Sequence, residues 1–351
     1  IRDIGVTGVQ TCALPILAGS ITLNDGSASA DGTAISAHGT GNVLLAVPGI
    51  ATGSSGSAVP LAAPNLSMPG NFTVRPSNGE LRFANAVGSG DETLTLVLAV
   101  AGGPTGAAAT LSSSAGNTLA DGVTASGSGT ATLKLTGTAA ALSNYLNTSG
   151  RVRFTGSEST TAYSLTASAQ RLNAEVVESS RTVTAAIISS ATATLANTGA
   201  ATASAPLSLT LPASFVANSI NGEIRFANSL ATGTDTLTMV LAVSGGPAGA
   251  SAALSAAAGN GTAGGITVAG SGTGRLSLTG TANDLRTLLN TANAVRFNAT
   301  ASNTVPYTLS ASVQSLTSGV VRLATTAQAS LLAVGDDLVA NADIVSATGN
   351  I

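Results

Sequence analysis

Side chains able to do chemistry are scarce in this chain of 351 residues, which holds one His, one Cys and no Trp. His38 alone rules out any site built on two imidazoles. Cys12 alone can form neither an internal disulfide nor a thiolate metal cage. Ser is abundant, but a Ser nucleophile needs a positioned base and a group to orient that base. His38, in a Gly/Thr/Ser-rich stretch, offers no such arrangement. Gly-x-Gly runs such as Gly127-Ser128-Gly129 have no helix directly after them, so a phosphate cradle is not expected. The residue types point away from an enzyme.

The acids leave one cofactor chemistry open, calcium, which takes six to eight oxygen ligands, usually with several carboxylates. The candidate ligands are Asp91 with Glu92, Asp235, and the C-terminal cluster Asp336, Asp337 and Asp343; Asp25 and Asp31 form a weaker pair. No Gly-Gly-x-Gly-x-Asp repeat surrounds them, and solvated loop acids are the plainer reading. Apart from this weak calcium site, no cofactor is expected.

Composition narrows the partners. The chain has 13 basic and 16 acidic residues, a net charge of -3 and a pI near 5.1, so it lacks the basic footprint of a nucleic-acid binder. No Trp and three Tyr leave little for sugars to stack on. Charged residues make up 8% and the mean hydropathy is +0.40, the opposite of a disordered chain. Much of that hydropathy is Ala, so the core must rest on a few Leu, Val, Ile and Phe. Leu94–Ala101, among the longest apolar runs, is broken by Thr and followed by Gly-Gly-Pro. It falls well short of the roughly 18–20 residues of a membrane helix, and no membrane span is expected.

Residues 1–16 stand apart. Val6 to Ile16 read as one frame of a common sequencing adapter, and Ile1-Arg2-Asp3 fit its preceding bases. They are set aside from fold reasoning as an adapter-like artefact, and Cys12 goes with them. The remainder then has 12 basic and 15 acidic residues and the same net charge. The expected protein is Cys-free, with its natural N-terminus and any export signal lying upstream.

A long internal repeat organises the rest. Asn78-Gly79-Glu80-Leu81-Arg82-Phe83-Ala84-Asn85 recurs 143 residues later as Asn221-Gly222-Glu223-Ile224-Arg225-Phe226-Ala227-Asn228. The same step joins Gly102-Gly103-Pro104 to Gly245-Gly246-Pro247 and Val152-Arg153-Phe154 to Val295-Arg296-Phe297; a step of 144 joins Tyr163 to Tyr307 and Gln170 to Gln314. The expected organisation is the tail of an upstream repeat over 17–50, repeat units over 51–195 and 196–339, and a linker or further start over 340–351. Lys134, the only Lys, is replaced by Ser277 in the second unit, which argues against a recurring Lys–Asn isopeptide bond.

Within a unit the hydrophobic period is two. Leu94, Leu96, Leu98 and Val100 alternate with Thr95, Val97 and Ala99, and Leu237, Met239, Leu241 and Val243 repeat the pattern. Such spacing predicts strands with one buried face. Tyr163 and Tyr307 fall on the inward period. Asn78-Gly79 and Asn221-Gly222 read as tight hairpin turns. Arg82, Arg225, Arg153 and Arg296 read as outward strand residues paired with Glu80 or Glu223. One short helix per unit is expected at Thr138–Asn147 and Thr281–Asn290, with Thr as N-cap, Asn at the end, and Leu142/Leu146 or Leu285/Leu289 on one face. The fold class is all-β: tandem β-sandwiches, each with one short helix.

The segment Gly270–Val313, with its strand, Leu-Thr-Gly-Thr turn, short helix and Tyr-bearing strand, resembles bacterial cadherin-like or immunoglobulin-like tandem repeats. The resemblance spans most of both units. It implies a structural or adhesive region of a large bacterial surface protein, located outside the cell. The implied partners are neighbouring repeats and a host, cell-surface or matrix ligand. Such arrays often bind calcium at acid-rich junctions, whereas the junction Ala191–Pro206 here carries no acid. Two alternatives remain: a self-assembling surface-layer or matrix protein, and an autotransporter-like passenger. The latter would need rungs of roughly 20–30 residues.

Overall fold

The computed structural model describes residues 20–23, 26–29, 51–83, 86–193, 196–226, 229–300, 305–317 and 320–334. Strands β1 (Ser20–Leu23), β2 (Gly26–Ser29) and β3 (Ala51–Ser57) come first. The first repeat runs through β4 (Asn71–Val74), β5 (Gly79–Leu81), β6 (Thr93–Gly102), β7 (Thr110–Ser113), β8 (Leu119–Ala120), β9 (Val123–Ser126) and β10 (Thr132–Thr138). Helix α1 (Ala139–Asn147), β11 (Val152–Thr155), β12 (Ser159–Asn173) and β13 (Val176–Ser189) complete it. A linker carries β14 (Ala196–Thr198) and β15 (Thr202–Ala203). The second repeat follows with β16 (Pro212–Asn218), β17 (Gly222–Arg225), β18 (Thr236–Gly245), β19 (Ala252–Ala256), β20 (Gly261–Ala263), β21 (Ile266–Ala269) and β22 (Arg275–Thr281). It ends with α2 (Ala282–Asn290), β23 (Val295–Ala299), β24 (Tyr307–Thr317) and β25 (Val320–Val334). The protein is mostly β, and α1 and α2 are the two helices among the described residues.

The chain divides into two compact units. The Leu61 unit comprises Leu61–Leu207 and Ser312–Thr326; the Ser208 unit comprises the described residues of Ile1–Pro60, Ser208–Ala311 and Ala327–Ile351. In the Leu61 unit one sheet has the order β14-β4-β13-β12-β6-β10-β9-β8, with β15 also on β13, and a second has the order β5-β11-β7. Both sheets feed one core. Phe72, Leu96, Leu98, Leu133, Leu135, Tyr163, Leu165 and Ile187 of the large sheet cluster with Leu81, Leu111, Val152 and Phe154 of the small one. Leu142, Tyr145 and Leu146 of α1 join that cluster. Phe154 meets Tyr163 edge-on at 5.1 Å between ring centroids, as Phe297 meets Tyr307 at 5.5 Å in the Ser208 unit. Such edge-to-face pairs contribute about 0.5–1.5 kcal/mol each beyond their buried area.

The helices form where the capping residues predict. The Thr138 side chain accepts a hydrogen bond from the Ala141 amide, and Thr281 accepts one from Asp284. The amides of Ala139 and Ala282 donate to the carbonyls of Glu92 and Asp235, so the chain just before β6 and β18 satisfies further helix-end donors. Each helix ends on Asn, yet its C-cap is the following Thr148 or Thr291 in extended backbone. Neither end uses the left-handed Asn cap.

Two expectations change. Asn78 and Asn221 have positive φ (60° and 59°), but β4 and β5 lie in different sheets, and β16 is not paired with β17. Asn78-Gly79 therefore leads from the large sheet to the small one, and Asn221-Gly222 joins two strands that β3 separates within one sheet; neither closes a hairpin. Nor is β6 buried on one face alone: Leu94–Val100 are buried without interruption. The face carrying Thr95 and Val97 is the one whose cross-strand neighbours are Gln170 and Ser168, and that face is covered.

Candidate functional site

What covers it is the end of the β24–β25 hairpin, whose residues Ser312–Thr326 belong to the Leu61 unit. The Gln170 side-chain amide (Nε2) donates to the Val321 carbonyl at 2.6 Å, and the Gln314 amide donates to the Val177 carbonyl at 2.9 Å. Gln170 and Gln314 are repeat equivalents, and so are Val177 and Val321, 144 residues apart. The two bonds are therefore reciprocal, as in a two-fold contact where each partner presents the same patch. Ser312 Oγ also donates to the Val177 carbonyl, at 2.6 Å, and Ser168 Oγ donates to the Arg322 carbonyl at 3.1 Å. The Thr182 hydroxyl reaches that same Arg322 carbonyl. The Ala324 amide donates to Ser180 Oγ at 2.7 Å.

Ser168, Gln170, Ser180, Thr182, Ser312 and Gln314 are all buried. Buried polar groups are costly unless bonded, and here side chains satisfy backbone groups that would otherwise meet a sheet face with no partner. Arg322 is half-buried, and desolvation lowers its pKa from the ordinary guanidinium value. Arg171 anchors the rim of the same region: it pairs with Glu92 and donates to the Ala62 carbonyl at 2.8 Å and to Ser179 Oγ at 3.0 Å. The arrangement holds the end of the β24–β25 hairpin against the β12–β13 hairpin within one unit. It contains no nucleophile–base pair.

The acids named from the sequence fall elsewhere. Asp91, Glu92 and Asp235 are exposed at the starts of β6 and β18, and Glu92 faces Arg171. Among the described residues, no three His, Cys, Asp or Glu side chains gather closely enough to hold a metal ion. Asp25, Asp31, His38, Asp336, Asp337 and Asp343, like Cys12 and the adapter-like segment, lie outside the described residues. Arg82 contacts Glu80 at 3.4 Å, and Arg225 holds the buried Glu223 at 2.6 Å. Arg153 lies directly opposite Glu80 across β11 and β5, as Arg296 lies opposite Glu223, and the Arg153 side chain donates to the carbonyls of Gly150 and Asn78. A shallow polar depression along α2, lined by Asn283, Arg286, Thr287 and Asn290, contains no acid–base pair. No helix among the described residues is long and apolar enough to cross a membrane.

Sequence reasoning marked Gln170 and Gln314 only as points of repeat register. A Gln on the outward period of a strand, at the same place in both copies, was the available signal. Comparison with protein-family models, curated proteins and solved structures finds no match.

Proposed function

We propose that this chain is a structural or adhesive repeat region of a large bacterial extracellular surface protein. Its units would be β-sandwich modules of cadherin-like or immunoglobulin-like kind, acting as a stalk or a cell-adhesion module. One observation carries the reading: the reciprocal Gln170–Val321 and Gln314–Val177 hydrogen bonds. They use buried polar side chains to join repeat-derived hairpins, which is what a load-bearing array needs. Of the exposed acids that flank β6 and β18, Asp91 and Asp235 are solvated loop residues on this reading, and Glu92 is an ion-pair partner of Arg171.

The test has two arms. Single-molecule pulling on the full chain should give discrete high-force unfolding events, and display of the chain on a non-adherent bacterium should raise adhesion to a host-cell or matrix surface. Discrete events without adhesion would leave a stalk. Gradual low-force extension together with no adhesion would overturn both roles.

A further inference from the structure

The two linker segments share a sequence and a way of binding. Thr52-Gly53 and Pro60-Leu61 correspond to Thr198-Gly199 and Pro206-Leu207 at a common step of 146. In the Leu61 unit, β14 adds antiparallel to β4, with Asn197 opposite Phe72, and β15 adds to β13 at Val183 and Thr184. In the Ser208 unit, β3 adds antiparallel to β16, with Gly53 opposite Phe215 and Ser55 opposite Ser214. It also runs parallel to β17, with Thr52 opposite Arg225, and Pro60 bridges to Ala327. The seated bonds match at a step of 143, a register different from that sequence match: the Ala201 amide donates to the Met68 carbonyl at 2.9 Å, and the Ala58 amide donates to the Leu211 carbonyl at 2.8 Å.

The donors nevertheless come from opposite directions along the chain. β14, at the start of the second unit, completes the repeat before it, whereas β3, at the start of the first unit, completes the repeat after it. The seat therefore recognises a linker strand by its backbone ladder and not by chain continuity. β3 reaches β16 within one chain across about 160 residues that hold the whole first repeat, and a second copy can present the same strand without that connection. An unfilled β16 would expose a row of unpaired amides and carbonyls, a template for another strand.

We infer that the edge between β16 and β17 is a strand-accepting seat, and that β3 of one copy of this chain fills the seat of a second copy. The repeats would thereby join between molecules by strand exchange, whatever surface the protein serves.

The experiment uses full-length chains with Cys12→Ser as background. One variant carries Ser55→Cys and the other Ser214→Cys. Directly opposed antiparallel residues lie about 4.5–5.5 Å apart at Cα, within the roughly 4.4–6.8 Å span of a disulfide. The two variants are unfolded, mixed, refolded together at rising concentration and oxidised. The expected product is a disulfide-linked pair holding one of each chain, and its share should rise with concentration. A chain carrying both substitutions should cross-link to itself when dilute. Self-linking without any mixed pair would overturn exchange, and failure of both cross-links would overturn the seat. As a check independent of cysteine geometry, a labelled peptide spanning residues 49–61 should be captured when added in excess to the unsubstituted chain during refolding. The same peptide with Ser55→Pro should not be captured, because Pro removes a ladder donor. Equal capture of the two, or capture of neither, would also overturn the proposal.

Discussion

Gln170 shows how much can hang on one amide. Its buried Nε2 is the donor to the carbonyl of the half-buried Val321. Truncation takes that partner away, at a cost of about 1 kcal/mol. Gln170→Ala should lower the unfolding free energy in urea by that margin; Gln314→Ala should lower it less, because Ser312 Oγ still donates to the Val177 carbonyl, and an exposed Thr such as Thr262 should tolerate Ala with little change. Glu92 is the opposite case. It meets Arg171 with both side chains partly exposed, at 40% and 26%, and ion pairs of that kind contribute less than about 1 kcal/mol. Arg171 keeps its bonds to Ala62 and Ser179 when Glu92 is neutralised. Glu92→Gln should therefore shift the melting temperature only slightly, and equally in calcium and in EDTA. A calcium-dependent stabilisation that vanishes in this variant would instead make Glu92 a cation ligand.

At the scale of elements, the β12–β13 hairpin turns on Ala174 and Glu175, both at positive φ (45° and 68°). Consecutive positive φ values suit a two-residue hairpin turn of the primed type, but they cost a residue with a Cβ about 1–2 kcal/mol. The second repeat carries Gly319 at the position of Glu175. Glu175→Gly should raise stability by about 1 kcal/mol in denaturant unfolding, an unusual direction for a glycine substitution in a strand-rich protein. This turn also marks where sequence reading stopped. The Leu94–Val100 ladder, the Thr138 and Thr281 caps and the inward Tyr163 and Tyr307 were legible because periodicity and capping are local. The Ala-Glu turn was not, because neither residue prefers positive φ and the long paired strands impose it. Asn78-Gly79 carried the local signal of a hairpin, yet which sheet each flanking strand joins is decided by distant partners. The buried outer face of β6 was hidden for the same reason: its cover comes from residues more than 200 positions away.

Over the whole molecule, the repeat seen in the sequence and the compact units seen in space do not have the same boundaries. Ser312–Thr326 are part of the second repeat by sequence and of the Leu61 unit by packing. The end of one repeat's hairpin thus has its environment supplied by the other repeat, and local stability there should follow substitutions far away in sequence. Ser180 offers a clean test, because its hydroxyl accepts from the Ala324 amide at 2.7 Å in a buried setting. Ser180→Ala removes the acceptor and adds no bulk. The freed amide should open more readily, and an unmet buried donor of about 1–3 kcal/mol corresponds to roughly tenfold or faster hydrogen exchange at Ala324 and its neighbours in β25. Amides of α2, which belongs to the Ser208 unit, should keep their protection. If exchange at Ala324 is unchanged, the hairpin end holds itself. If it accelerates alone, the paired side chains are what carry one repeat into the fold of the next.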